Sequence, residues 1–201
     1  MTSRLLEVFN TYFPEKCARS QQIEAFDFLE KTNVKHHIIE APTGGGKSLI
    51  GMVYGLVKKE KFFITTPQKM LQSQYVDTID ESLIGTFYGR SNYKCVWSND
   101  LDEIDCKQGN VPNSPCAGCP YQKARHDALA KKATILNTSL QFNNTFSDKF
   151  TERRILVIDE AHSLERVLCD YNMFSITKVK CKQLKIKFPK VKAGELKKFL
   201  N

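Results

Sequence analysis

No stretch of the 201 residues is a run of the roughly 20 apolar side chains that a bilayer-spanning helix needs. Glu7 and Asn10 interrupt the first segment where a secretory signal would carry an unbroken apolar core. There is no internal repeat. With 10 glycines, 7 prolines and 41% hydrophobic residues, the chain is neither collagen-like nor of low complexity. These absences lead to the expectation of a soluble, cytoplasmic protein of one domain, without a membrane partner.

The body of the chain also lacks an excess of charge. The formal net charge is +8, yet residues 175–201 hold nine lysines against the single acid Glu195, which leaves 21 basic and 21 acidic residues before them. The lysine stretch reads as a solvated face, a phosphate-tracking surface or a frayed end.

Strand and helix signals alternate along the chain, which predicts an α/β fold with a mostly parallel sheet and helices on its faces. Residues 20–31 read as an amphipathic helix with Ile23, Phe26 and Leu29 on one side. His36 to Ile39 reads as a short strand running into the glycine-rich segment 41–48, with a helix from Lys47 to about Lys59. Phe62 to Thr65 reads as a second strand. Pro67 suits the first turn of the next helix, with Thr66 as its cap. Regular patterns break off over 89–120. They resume with a helix near 121–132, a strand at 133–136, a helix near 138–146 and the apolar run Ile155 to Ile158, of the kind found in buried parallel strands.

Ala41-Pro42-Thr43-Gly44-Gly45-Gly46-Lys47-Ser48 matches a phosphate-binding loop with Ala in place of the first Gly. Glycines let backbone N–H groups turn toward phosphate oxygens, and the N-terminus of the following helix adds its positive dipole end. Lys47 would reach the β- and γ-phosphates of ATP, and the Ser48 hydroxyl would ligate Mg²⁺. Such a loop needs an acidic residue at the end of another core strand. Asp159, directly after Ile155–Ile158, meets that need as the second Mg²⁺ residue, and Glu160 is the candidate base that orients the attacking water.

Asp159-Glu160-Ala161-His162, downstream of this loop, resembles the DEAH box of superfamily 2 helicases. Arg19 and Gln22 stand where those enzymes place an adenine-reading glutamine. Thr65-Thr66-Pro67-Gln68, with Leu71 and Gln74, is similar to the motif that contacts the DNA backbone. Gly89-Arg90-Ser91-Asn92-Tyr93-Lys94-Cys95 is similar to the start of the iron–sulfur insertion of the XPD/DinG-like helicases, and Ala133–Asn137 to the segment after it. The resemblance implies a RecA-like P-loop motor domain carrying a cysteine-rich iron–sulfur insertion. In the implied catalytic set are Lys47, Asp159, Glu160 and His162. The nucleotide-binding set is Arg19, Gln22 and the loop from Ala41 to Ser48. The domains would be 1–88 and 125–170 for the motor, 89–124 for the insertion and 171–201 for the start of a truncated arch-like region. The expected activity is ATP-driven 5′→3′ unwinding of DNA, with single-stranded or forked DNA as partner. A second RecA-like motor domain would come from a missing C-terminal part or another chain. No later Gly-Arg-x-x-Arg motif is present to supply arginines to the γ-phosphate, so unwinding by this chain alone is not expected. If the source is eukaryotic, the location would be nuclear.

Of seven cysteines, Cys17, Cys169 and Cys181 are scattered, while Cys95, Cys106, Cys116 and Cys119 fall within 25 residues. In a cytosolic chain this clustering suggests a metal site rather than disulfides. Zinc sites usually use two tight pairs, and only Cys116–Cys119 is tight, so a [4Fe–4S] cluster fits better. Zinc and unliganded thiols are the alternatives. Arg90, Tyr93 and Lys94 beside the first cysteine read either as surface or as a DNA-facing edge. Two other functions stay open: a stand-alone module that binds nucleotide and single-stranded DNA without turnover, and an RNA helicase fragment.

Overall fold

A computed structural model describes residues 3–95, 118–145 and 153–172, with 181, 182, 185 and 187 further on. The chain divides into two units, residues 1–167 and 168–201. In the second, the end of one helix and the four later residues are described.

The first unit is built on four parallel strands: β1 (Phe62–Thr66), β2 (Ile84–Phe87), β3 (Ala133–Asn137) and β4 (Leu156–Ile158). Their order across the sheet is β2-β3-β1-β4. Successive side chains of a strand point to opposite faces, and here the alternation divides the core in two. Phe62, Ile64, Ala133 and Ile135 share one face with the helices α1 (Arg4–Tyr12), α2 (Ser20–Lys31) and α3 (Lys47–Val57), with Tyr75 of α4 (Lys69–Thr78) and with Ile79 directly after it. Phe63, Phe87 and Leu136 face Tyr121 and Ala128 of α5 (Pro120–Ala130) and Leu140 of α6 (Thr138–Thr145). A last helix, α7, covers Leu164–Asn172. Helices on both faces of a parallel sheet fit the expected α/β RecA-like fold.

The elements differ from expectation in ways with physical causes. His36 to Ile39 forms no strand; the segment pairs with none of β1–β4, and Ile38 is 91% exposed. Among the described residues the apolar run at 155–158 is an edge strand rather than a central one. Among the described residues β4 pairs only with β1, at the sheet edge, and Leu156 is 47% exposed. On α2 the buried face is Gln22, Phe26 and Leu29, while Ile23 lies outside. Helix α4 begins at Lys69 rather than Pro67, because Thr66 completes β1 and its hydroxyl donates to the Gln68 carbonyl instead of capping a helix. Helices α1 and α7 and strand β2 were not foreseen.

Arg153 joins the sheet to α5. Its guanidinium donates to the Phe62 carbonyl at 2.6 Å and the Leu129 carbonyl at 2.9 Å, and lies 4.3 Å from the Phe63 ring centre. Burial pulls this arginine down to about 10, still charged at neutral pH. Lys61 donates to the same Leu129 carbonyl, so two cations meet the negative end of the α5 dipole. They line an open cavity of about 710 Å³ at the strands' N-terminal ends, away from the loop described next.

Candidate nucleotide site

Open α/β sheets bind ligands beyond the carboxyl ends of their strands. The glycine-rich loop and Asp159 both lie there, the first leading into α3 and the second following β4. Gly44 (φ 78°) and Gly46 (φ 77°) take the left-handed conformation that a side chain disfavours. The turn over residues 42–45 is closed by the Gly45 N–H on the Pro42 carbonyl at 3.0 Å.

Two residues from the start of α2 brace this loop. The Arg19 guanidinium donates to the Gly44 carbonyl. Gln22, 2% exposed, donates through Nε2 to the Gly46 carbonyl at 3.2 Å and accepts the Arg19 backbone N–H at 3.0 Å. Both ends of its amide are thus engaged within the protein, the reason a polar side chain sits on the buried face of α2. Lys47 Nζ donates to the Ala41 carbonyl at 3.0 Å, across the loop.

The loop and the acidic box meet at Ser48, whose hydroxyl lies 3.3 Å from Asp159 Oδ2 although the two are 111 positions apart in sequence. Asp159 Oδ1 accepts the Glu160 N–H at 3.0 Å, and the Asp159 N–H continues the ladder to the Thr65 carbonyl at 2.9 Å. Glu160 holds a positive φ of 53°, uncommon for a residue with a side chain and frequent at functional sites. His162 Nδ1 lies 3.3 Å from Glu160 Oε2.

A third donor to Asp159 was not foreseen. The Tyr75 hydroxyl lies 3.0 Å from Oδ2, on a side chain only 3% exposed. Burial, then the adjacent carboxylate, push this phenol far above its usual range, so it stays a donor. The signal available in sequence was a tyrosine four residues before the apolar Ile79: a buried hydroxyl must find a partner.

The four clustered cysteines are only partly visible. Cys106 and Cys116 lie outside the described residues; Cys95 is half-buried and Cys119, directly before α5, is buried. Among the described residues no group of three or more His, Cys, Asp or Glu side chains could hold a metal ion. Tyr93 is no free surface group. It packs 6.3 Å from the Phe87 ring and 5.7 Å from the Tyr121 ring, burial raises its phenol, and Arg90 lies 5.0 Å over Tyr121, while Lys94 is exposed. Of the scattered cysteines, Cys17 and Cys169 are exposed and Cys181 is buried. No helix among the described residues is long and apolar enough to cross a membrane.

No curated protein matches the chain. The family of DEAD/DEAH box helicases matches it over residues 19–186, a span that takes in the bracing residues, the loop, the acidic box and all four strands. The chain belongs to the DEAD/DEAH box helicases, and its domain is of the ATP-binding helicase type.

Proposed function

We propose that this domain is the ATP-binding motor domain of an ATP-dependent 5′→3′ DNA helicase of the iron–sulfur type. The observation that carries the motor reading is the Ser48–Asp159 contact beside the glycine-rich loop. A hydroxyl and a carboxylate oxygen are the hard donors that Mg²⁺ takes, so these two residues fit that ion. When bound, Mg²⁺ supplies charge neutralisation at the β- and γ-phosphate oxygens.

The chain's own residues do the rest. Backbone N–H groups of residues 46–48, at the positive end of α3, bind phosphate oxygens. Lys47 exchanges the neutral Ala41 carbonyl for a charged phosphate, a stronger partner. Arg19 and Gln22 keep the loop in its cradle shape through the Gly44 and Gly46 carbonyls. Glu160 orients the attacking water, and His162 orients Glu160. A second RecA-like motor domain, in the same protein or another chain, faces this site and closes on it.

The iron–sulfur part of the reading places a [4Fe–4S] cluster on Cys95, Cys106, Cys116 and Cys119. Its support is the cysteine spacing together with the Tyr93–Tyr121 ring contact, which draws together the chain just before Cys95 and just after Cys119. The insertion would span 89–124, between the two motor parts 1–88 and 125–170, with the lysine-rich 171–201 leading into an arch-like region. Single-stranded or forked DNA is the proposed partner.

The test is anaerobic purification, followed by metal analysis and equilibrium binding of matched DNA and RNA oligonucleotides with a non-hydrolysable ATP analogue. The reading expects a brown protein with about four irons per chain. It also expects DNA to bind more tightly than RNA, with steep salt dependence. A colourless protein with stoichiometric zinc would overturn the cluster; preference for RNA would overturn the DNA assignment and favour an RNA helicase.

A further inference from the structure

We propose that Tyr75 is a positioning residue of the metal site, its hydroxyl holding the Asp159 carboxylate in place beside Ser48 and tying it to α4. The proposal rests on the reading of Ser48 and Asp159 as the Mg²⁺ pair.

Asp159 has little else to fix it. It follows a strand of three residues that is paired on one side only among the described residues, and the chain turns immediately after it. The direction of its carboxylate therefore depends on side-chain and local donors. Oδ1 takes the Glu160 N–H at 3.0 Å. Oδ2 takes two hydroxyls, Ser48 at 3.3 Å and Tyr75 at 3.0 Å. Ser48 is itself a proposed ligand, so Tyr75 is the donor to Oδ2 whose task is orientation alone.

Its placement suits that task. The ring is buried in the core shared by α1, α2, α3 and the sheet, where Ile79, the residue that caps the end of α4, is packed as well. A rigid aromatic stem ending in one hydroxyl fixes the donor in direction and in distance. A phenol is also neutral: it holds the carboxylate without cancelling its charge, as a lysine or arginine there would. The full negative charge remains for a cation. Carboxylates that ligate metals are commonly held by such outer hydrogen bonds, whose loss costs roughly 10- to 100-fold in metal affinity.

Tyr75 also gives the site a mechanical link. Helix α4 starts directly after the loop that follows β1, at residues 67 and 68, so a displacement of α4 would be felt at the carboxylate through one hydrogen bond.

The experiment titrates Mg²⁺ into the 201-residue chain with a fluorescent ADP analogue, in parallel with EDTA samples and thermal unfolding. The variants are Tyr75→Phe, which keeps the ring, and Asp159→Asn. We expect Asp159→Asn to abolish the Mg²⁺ enhancement of ADP binding. Tyr75→Phe should raise the Mg²⁺ concentration for half-enhancement about 10-fold or more, without an equal loss in EDTA. Loss of Mg²⁺ dependence in Asp159→Asn with a wild-type curve for Tyr75→Phe overturns the Tyr75 assignment alone. An equal fall of ADP affinity with and without Mg²⁺ in Tyr75→Phe, with a lowered thermal midpoint, overturns it too, because that is the signature of a loosened core. Unaltered Mg²⁺ dependence in Asp159→Asn overturns the metal reading and the assignment with it.

Discussion

Gly44 and Gly46 offer a paired experiment in which one backbone conformation appears in two environments. Their φ angles are 78° and 77°, so an alanine at either position carries the same left-handed penalty, about 1–2 kcal/mol. Around Gly44 nothing lies within 4 Å of an added Cβ, and Gly44→Ala should cost that penalty and little more. At Gly46 the added Cβ would overlap the Gln22 amide nitrogen. That amide is buried and bonded at both ends, so pushing it aside breaks the bond to the Gly46 carbonyl and leaves a buried donor without a partner. Losing the partner of a buried donor costs about 1–3 kcal/mol, which brings Gly46→Ala to about 2–5 kcal/mol. Urea unfolding monitored by circular dichroism measures both variants, and ADP affinity should fall more for Gly46→Ala because its loop is displaced. A Gln22→Ala background provides the control: with the amide gone, Gly46→Ala should cost no more than Gly44→Ala, and the coupling energy of the cycle measures the contact. Equal destabilisation by Gly44→Ala and Gly46→Ala in the wild-type background would refute the reasoning, since it would mean that the Gln22 brace bears no load.

Much of the site was legible because its chemistry is local in sequence. The loop of glycines with Lys47 and Ser48 is recognised from adjacent residues, and Asp159 from its place directly after an apolar run; the structure brings Ser48 and Asp159 to within 3.3 Å. What could not be read is whatever depends on which surfaces meet. Gln22 reads in sequence as an adenine contact, but no pattern there shows that its amide also bonds the Gly46 carbonyl and the Arg19 N–H, because the packing of α2 against the loop decides where that amide points. Tyr75 fell one residue beyond the segment singled out after β1, yet it reaches Asp159, 84 positions away. The strands show the same limit. β1 and β3 were evident from their apolar character, but with apolar side chains on both faces of each strand, periodicity could not say which residues face which layer of helices. The segment 36–39 has a strand's composition and no pairing partner among β1–β4, and composition alone never supplies the neighbour.

Two further perturbations follow from named contacts before a last one at β4. Lys47→Ala should weaken Mg·ATP binding by about 1–3 kcal/mol, the scale of a charge-assisted hydrogen bond, with little change in thermal midpoint, since among the described residues Lys47 bonds only the Ala41 carbonyl; unchanged ATP affinity in calorimetry would remove the phosphate-loop role. Arg153→Met keeps the apolar stem but deletes both carbonyl bonds and the cation over Phe63, and should cost about 2 kcal/mol in urea unfolding once the relief of a desolvated charge is allowed for; a loss under about 0.5 kcal/mol would place it with ordinary surface residues. The last perturbation is Leu156→Lys. The run Ile155–Ile158 is apolar enough for a strand with neighbours on both sides, yet among the described residues β4 pairs only with β1 and Leu156 is 47% exposed. If that is the strand's environment in solution, a lysine there meets water rather than a core and should shift stability by no more than about 0.5 kcal/mol. It should also reduce self-association, because charge on an open edge discourages pairing with another chain. If a further strand covers the outer side of β4, the same lysine is forced to desolvate, and the cost should rise to several kcal/mol, as for other unpaired buried charges. Urea unfolding and sedimentation velocity of the two proteins at matched concentrations distinguish these outcomes. A loss above about 2 kcal/mol with unchanged self-association would mean that β4 is an interior strand, its apolar sequence matched by an apolar setting.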